Sequence, residues 1–161
     1  MSKHSVIGKK TPREESVPKV KGEAIYAVDI TLPGMLHGKM LTSPHAHAKI
    51  LGIDTSRAMG LRGVKAVLTA KDIPDRSTVK AFSPLLHSDM TGMARDKVCY
   101  IGDIVAAVAA VDENTAEEAL GLIDVNYEIL PAVFDPEEAM QPDAVRIHDH
   151  SEHNIPAKAL H

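Results

Sequence analysis

His45 and His47 stand two apart in the run SPHAHAKI, residues 43–50. In extended backbone such residues share a face, so both imidazoles could turn toward one metal ion. Zinc sites usually draw more ligands than that, at recognisable spacings. No cysteine or second histidine pair lies nearby, so the pair reads as polar histidines on the solvent side of an edge strand. A denser set follows Pro142: His148, Asp149, His150, Glu152 and His153. Imidazoles and carboxylates together suit a divalent ion, which makes His148, His150 and His153 the weak metal candidates. A solvated polar connector accounts for them better, because nothing rigid in the sequence holds them. Cys99 would need cations or a helix N-terminus beside it to become a reactive thiolate. With Lys97 alone close by, it reads as a buried, inert cysteine. Asp112, Glu113, Glu117 and Glu118 crowd a predicted helix start, where dipole and solvation explain them better than paired-carboxylate catalysis. The motifs G-x-G-x-x-G, G-x-x-x-x-G-K-[ST] and G-x-S-x-G are absent, and Gly102-Asp103 reads as a turn. No catalytic or cofactor-binding residue is assigned.

The elements that position these residues follow from hydrophobic patterning. Residues 1–17 are polar and unpatterned, a flexible N-terminal arm. Glu23 to Ile30 alternates partly and predicts a short strand, followed by the turn dipeptide Pro33-Gly34. Leu36 to Leu41, Ala46 to Ile53 and Val64 to Thr69 predict three further strands. Asp54 or Thr55 can cap a short helix through Met59, since a side-chain oxygen there accepts from free N–H groups of the first turn. Ile104 to Val111 is an unbroken apolar run, suited to a strand buried on both faces, with a buried helix as the alternative that periodicity leaves open. Asn114 and Glu117 have capping-box spacing, and Ala116, Ala119, Leu120 and Ile123 recur on one helical face. Val125 to Leu130 returns as a strand, so this stretch is compatible with a right-handed parallel crossover. Asp135-Pro136-Glu137-Glu138 starts a last short helix.

Pro74 to Asp96 breaks every pattern. Structureless connections longer than ~15 residues are uncommon in compact domains and usually carry function. This one is expected to be a partner-facing loop, with Arg76, Phe82, Leu85, Leu86 and Asp89 as contact candidates. The expected organisation is an arm (1–17), an α+β domain (18–141, including the long loop 74–96) and a C-terminal connector (142–161). Its fold is a mixed sheet with a few short helices packed on it.

With 161 residues the chain suits a single domain, and 44% hydrophobic residues with 3% aromatics imply an aliphatic core. Eighteen basic against 22 acidic residues give −4, which argues against a nucleic-acid partner held by phosphate contacts. One cysteine rules out an intrachain disulfide. With no apolar run of the ~20 residues a membrane span requires, and no signal-peptide pattern, a cytoplasmic location is expected.

Several stretches in one order carry a resemblance: GEAIYAVDI, SPHAHAKI with IDTS, GVKAVLTAKDIP, DKVCYIGDIVAAVAA and IDVNYEILPAV. Together they resemble the opening of the large, molybdenum-binding subunit of the xanthine dehydrogenase and aldehyde oxidase family, with 4-hydroxybenzoyl-CoA reductase as the suggested branch. The resemblance runs from Pro18 to Asn154 and implies the α/β hammerhead domain of that family. It further implies a complete enzyme that carries molybdopterin and iron–sulfur clusters. Its remaining molybdopterin domains or subunit, its iron–sulfur component and a FAD subunit would be the partners here. The family's catalytic glutamate and cofactor loops lie downstream of this domain, and none is in this sequence. The expected role is therefore structural: bracing the molybdopterin domains and meeting the iron–sulfur component, with no catalysis by the isolated chain. A separately encoded stand-alone binding or assembly module is the alternative. An independent metal enzyme using the tail histidines is a third reading.

Overall fold

The computed structural model describes residues 7–8, 10, 13–74, 91–149 and 151–155. The chain divides into two units, residues 1–35 and residues 36–161. In the first, helix α1 (Ser16–Lys21) ends at Gly22, whose φ of 72° lets its N–H turn back to the Lys19 carbonyl. The strand expected over Glu23 to Ile30 does not form. The Tyr26 N–H donates to Asp29 Oδ2 at 2.9 Å and the Asp29 N–H to the Tyr26 carbonyl at 3.0 Å. These bonds curl residues Ala27–Asp29 into a single 3₁₀ turn.

Among its described residues the second unit holds six strands: β1 (His37–Thr42), β2 (Ala48–Asp54), β3 (Val64–Thr69), β4 (Lys97–Val98), β5 (Ile104–Ala110) and β6 (Asp124–Ile129). They form two three-stranded sheets, ordered β1-β5-β3 and β4-β2-β6. Every described pairing is antiparallel. The α+β class holds, but the parallel crossover does not. After β5 the chain crosses helix α3 (Glu113–Leu120) into β6, which pairs with β2 in the other sheet. Helices α2 (Ser56–Gly60) and α4 (Pro136–Ala139) also belong to this unit.

Local chemistry sets the helix starts. Asp54 Oδ1 accepts from the Ser56 N–H at 2.9 Å, and Asp135 Oδ1 accepts from the N–H groups of Glu137 and Glu138. Helix α3 begins earlier than the Asn114–Glu117 spacing suggests. Its cap is Asp112, which accepts from the Thr115 N–H at 2.8 Å and from the Thr115 hydroxyl at 2.8 Å. Those two donors hold the Asp112 carboxyl below its ordinary range. The turn before β3 needs Gly63: φ is 102°, and a Cβ there would lie 3.0 Å from a Val111 methyl.

Two small cores result. In the first, Ala116 and Ala119 of α3 pack with Ala58 of α2 onto Ala106, Val108 and Ala110 of β5. In the second, Ala48, Ala94, Val98 and Val105 meet between the sheets. Ile53 and Val125 pack against both. Leu120, expected at mid-stripe, is only partly buried, and the alanines make the close contact. Single-carbon side chains let α3 lie close on the sheet, which is why the core is nearly free of large residues.

Candidate functional site

The histidine pair in SPHAHAKI is a structural corner. Ser43 is buried; its hydroxyl donates to the His45 carbonyl and accepts from the His45 N–H, both at 3.0 Å. The Ser43 N–H donates to the Asp103 carbonyl at 2.8 Å, and the Gly102 N–H to the Ser43 carbonyl at 2.9 Å. Gly102 takes a φ of 94°, in keeping with the turn read there. The corner thus links the end of β1 to the turn before β5. The solvent-facing edge-strand reading does not hold: both histidines lie in the bend before β2, and His47 is buried. His47 is 4% exposed, and its Nδ1–H donates to the Pro131 carbonyl at 2.7 Å. His45 is half-buried and stands edge-on to the Tyr127 ring, centroids 5.0 Å apart. Among the described residues no three His, Cys, Asp or Glu side chains gather into a metal-binding group, at these histidines or elsewhere.

Residues 142–149 and 151–155 are folded, where a solvated polar connector was expected. Ile147 and Ser151 are buried. Asn154 closes the segment: its Nδ2 donates to the carbonyls of Ala139 (3.0 Å) and Val145 (2.9 Å), and its Oδ1 accepts from the Ile147 N–H (2.8 Å). His153 and Asn154 both take positive φ, 51° and 55°, a conformation that asparagine tolerates better than most residues. Lys97 on β4 reaches Asp149 at 2.9 Å and holds its carboxyl below the usual range. Cys99, half-buried rather than fully buried, lies 3.7 Å through Sγ from the Ile147 carbonyl.

Between β4 and this segment lies a cavity of about 410 Å³ lined by Lys49, Arg95, Lys97, Cys99, Tyr100 and His148 among others. Burial, and then the Asp103 charge, push the Tyr100 hydroxyl up. His153 lines a different, smaller groove with Arg146 and Asn154. The two described tail histidines therefore do not converge, and His150 lies outside the described residues. So do Arg76, Phe82, Leu85, Leu86 and Asp89 of the expected contact loop. The acidic residues at the start of α3 are accounted for by Asp112 as cap and by Glu113 and Glu117 around Lys39, at 2.7 and 3.4 Å. A single half-buried cysteine beside a backbone carbonyl does not fit an iron–sulfur cluster, which takes several thiolates.

Sequence patterning did not reveal a second surface, the face of the sheet β1-β5-β3 turned away from α3. In the ladder Met40 and Leu68 both stand opposite Ala107, and Gly38 and Ala66 both stand opposite Ala109. Directly opposed residues share a face, and by alternation this is the face of Val105. Val105 is buried in the second core, whereas Met40 is 62% and Leu68 42% exposed. The apolar strip therefore runs from a core residue to exposed side chains. No helix among the described residues is long and apolar enough to cross a membrane.

The family described as "Aldehyde oxidase and xanthine dehydrogenase, a/b hammerhead domain" matches residues 21–131. A Bacillus subtilis protein named as a probable xanthine dehydrogenase component is 42% identical over 137 residues, covering 85% of this chain and 18% of that protein. The carbon monoxide dehydrogenase large chain of Afipia carboxidovorans is 42% identical over 139 residues, covering 86% of this chain and 17% of its own length. The structure of aldehyde oxidoreductase from Desulfovibrio gigas superposes with a TM-score of 0.81 at 35% identity, covering 90% of this chain and 17% of that one. The chain spans less than a fifth of the length of these relatives.

Proposed function

The chain belongs to the aldehyde oxidase and xanthine dehydrogenase hammerhead-domain family, and we propose that it is the structural docking domain of a molybdenum hydroxylase. In this reading it braces the molybdopterin-binding domains and meets the iron–sulfur component, in a cytoplasmic enzyme, while other parts of the assembly bind cofactors and substrate. The observation that carries it is the open apolar strip of Met40, Ala107 and Leu68, continuous with a core residue. Exposed large apolar side chains, Met40 and Leu68, flanking alanines on one sheet face form a surface suited to a covering partner. Alanines in the middle row admit close approach by a packed element. Relatives named for xanthine and for carbon monoxide match at the same 42% identity. That equality supports placing substrate choice outside the shared stretch.

Replacing Met40 and Leu68 together by lysine tests the docking role. Both positions are exposed, so the denaturation midpoint of the chain itself should hold. Recovery of the chain in its native assembly should fall about tenfold or more, because burying unpaired ammonium groups is costly. Recovery at the native level would reject docking through this face.

A further inference from the structure

Among its described residues the first unit has no core of its own. Among the described residues 13–35 no side chain is buried. Ile25 is 79% exposed, Val28 90%, Ile30 51% and Leu32 62%. Two tight turns fix this run. The first is the Tyr26–Asp29 turn described above, and the second brings the Met35 N–H to the Leu32 carbonyl at 3.0 Å across Pro33 and Gly34, where Gly34 takes a φ of 75°. From Ala24 to Leu36 the only charged side chain is Asp29, and its carboxylate is turned onto the Tyr26 N–H of its own turn. The result is a short, pre-shaped display of large aliphatic side chains that carries one carboxylate and no cation.

We infer that residues 24–36 form an apolar clasp seated in an apolar groove of the remaining large-subunit polypeptide. This rests on the docking role proposed above and adds a second, separate contact to it. Three observations select that occupant. The family match starts at residue 21, so the clasp is part of the shared domain and not an appended tail. The relatives sharing it continue for several times its length, supplying polypeptide to cover it. A membrane surface is a poorer fit, because interfacial segments set basic side chains around their apolar face, and residues 24–36 contain no Lys or Arg. Ordering the segment in advance by two turns lowers the entropic cost of docking.

Hydroxyl-radical footprinting of the free 161-residue chain and of the native assembly tests the clasp, read at Tyr26 and Met35 within it and at Met40 on the sheet face. Tyr26 and Met35 should be oxidised in the free chain and lose that oxidation in the assembly. Persistent oxidation in the assembly overturns the clasp. Protection already present in the free chain overturns it as well, by assigning the cover to the chain's own second unit or, if concentration-dependent, to a second copy. Protection of the free chain only by added anionic vesicles overturns it in favour of a lipid surface. Met40 separates this failure from that of the docking role: protection at Met40 alone leaves docking standing, and protection at neither site removes both. Val28→Asp should leave the melting temperature of the chain unchanged and lower recovery in the assembly about tenfold, while Val28→Leu retains it.

Discussion

Asn154→Asp is expected to unlock residues 139–154 at a cost of about 2–4 kcal/mol, from two lost hydrogen bonds and two carbonyls left facing a carboxylate. The amide Nδ2 donates to the carbonyls of Ala139 and Val145. A carboxylate cannot donate to either, although it can still accept from the Ile147 N–H. Aspartate and asparagine tolerate the left-handed backbone of this position comparably, so the substitution isolates the side-chain bonds from backbone strain. Urea denaturation followed by circular dichroism measures the change. Hydrogen exchange should place the opening in residues 139–155, with Ile147 losing protection. A change below about 0.5 kcal/mol, the size of an ordinary surface substitution, would mean that Asn154 does not hold the segment.

Ala116→Leu is expected to destabilise the chain by about 3 kcal/mol, at the upper end of the usual cost of overpacking. Ala116 has no exposed surface and sits among Ala58, Ala106, Ala110 and Ala119, which are equally enclosed. A larger side chain must push α3 off the sheet or leave its preferred rotamer. Leu120→Ala should cost about 2 kcal/mol, the low end for a core leucine, because Leu120 is only partly buried. The denaturation midpoints of the two variants decide the order. A tolerated Ala116→Leu would show that α3 rides higher on the sheet than its alanine seam implies.

The parts of the fold legible in the sequence were those that bury apolar side chains locally. The strands β1, β2, β3, β5 and β6 fall within one or two residues of their expected limits, because alternation or an unbroken apolar run marks each. Strand β4, two residues long, carries no pattern to read. Pairing was less legible, since nothing local tells β6 to join β2 in place of β5. His47 was misplaced because its partner, Pro131, lies 84 residues away, and the imidazole gives no hint of burial. The segment after Gln141 was misread for a related reason: polar side chains bonded to backbone hold it, and hydrophobic periodicity does not record such bonds. Residues 23–30 misled in the opposite sense, because apolar spacing implies a core, and this segment turns those side chains outward. Of the candidate site, the resemblance supplied the family, but the open face of β1-β5-β3 required the strand register.

A chain that works inside a molybdenum enzyme travels with that enzyme's molybdenum. Native capture from source cells, with an antibody raised against the chain, measures this directly through the mass of the epitope-bearing polypeptide and the molybdenum content of the captured complex. Stoichiometric molybdenum is predicted, either on a polypeptide several times heavier than 17.3 kDa or on a partner subunit held in the same complex. A free 17.3 kDa species with no molybdenum would contradict the account and leave a stand-alone module.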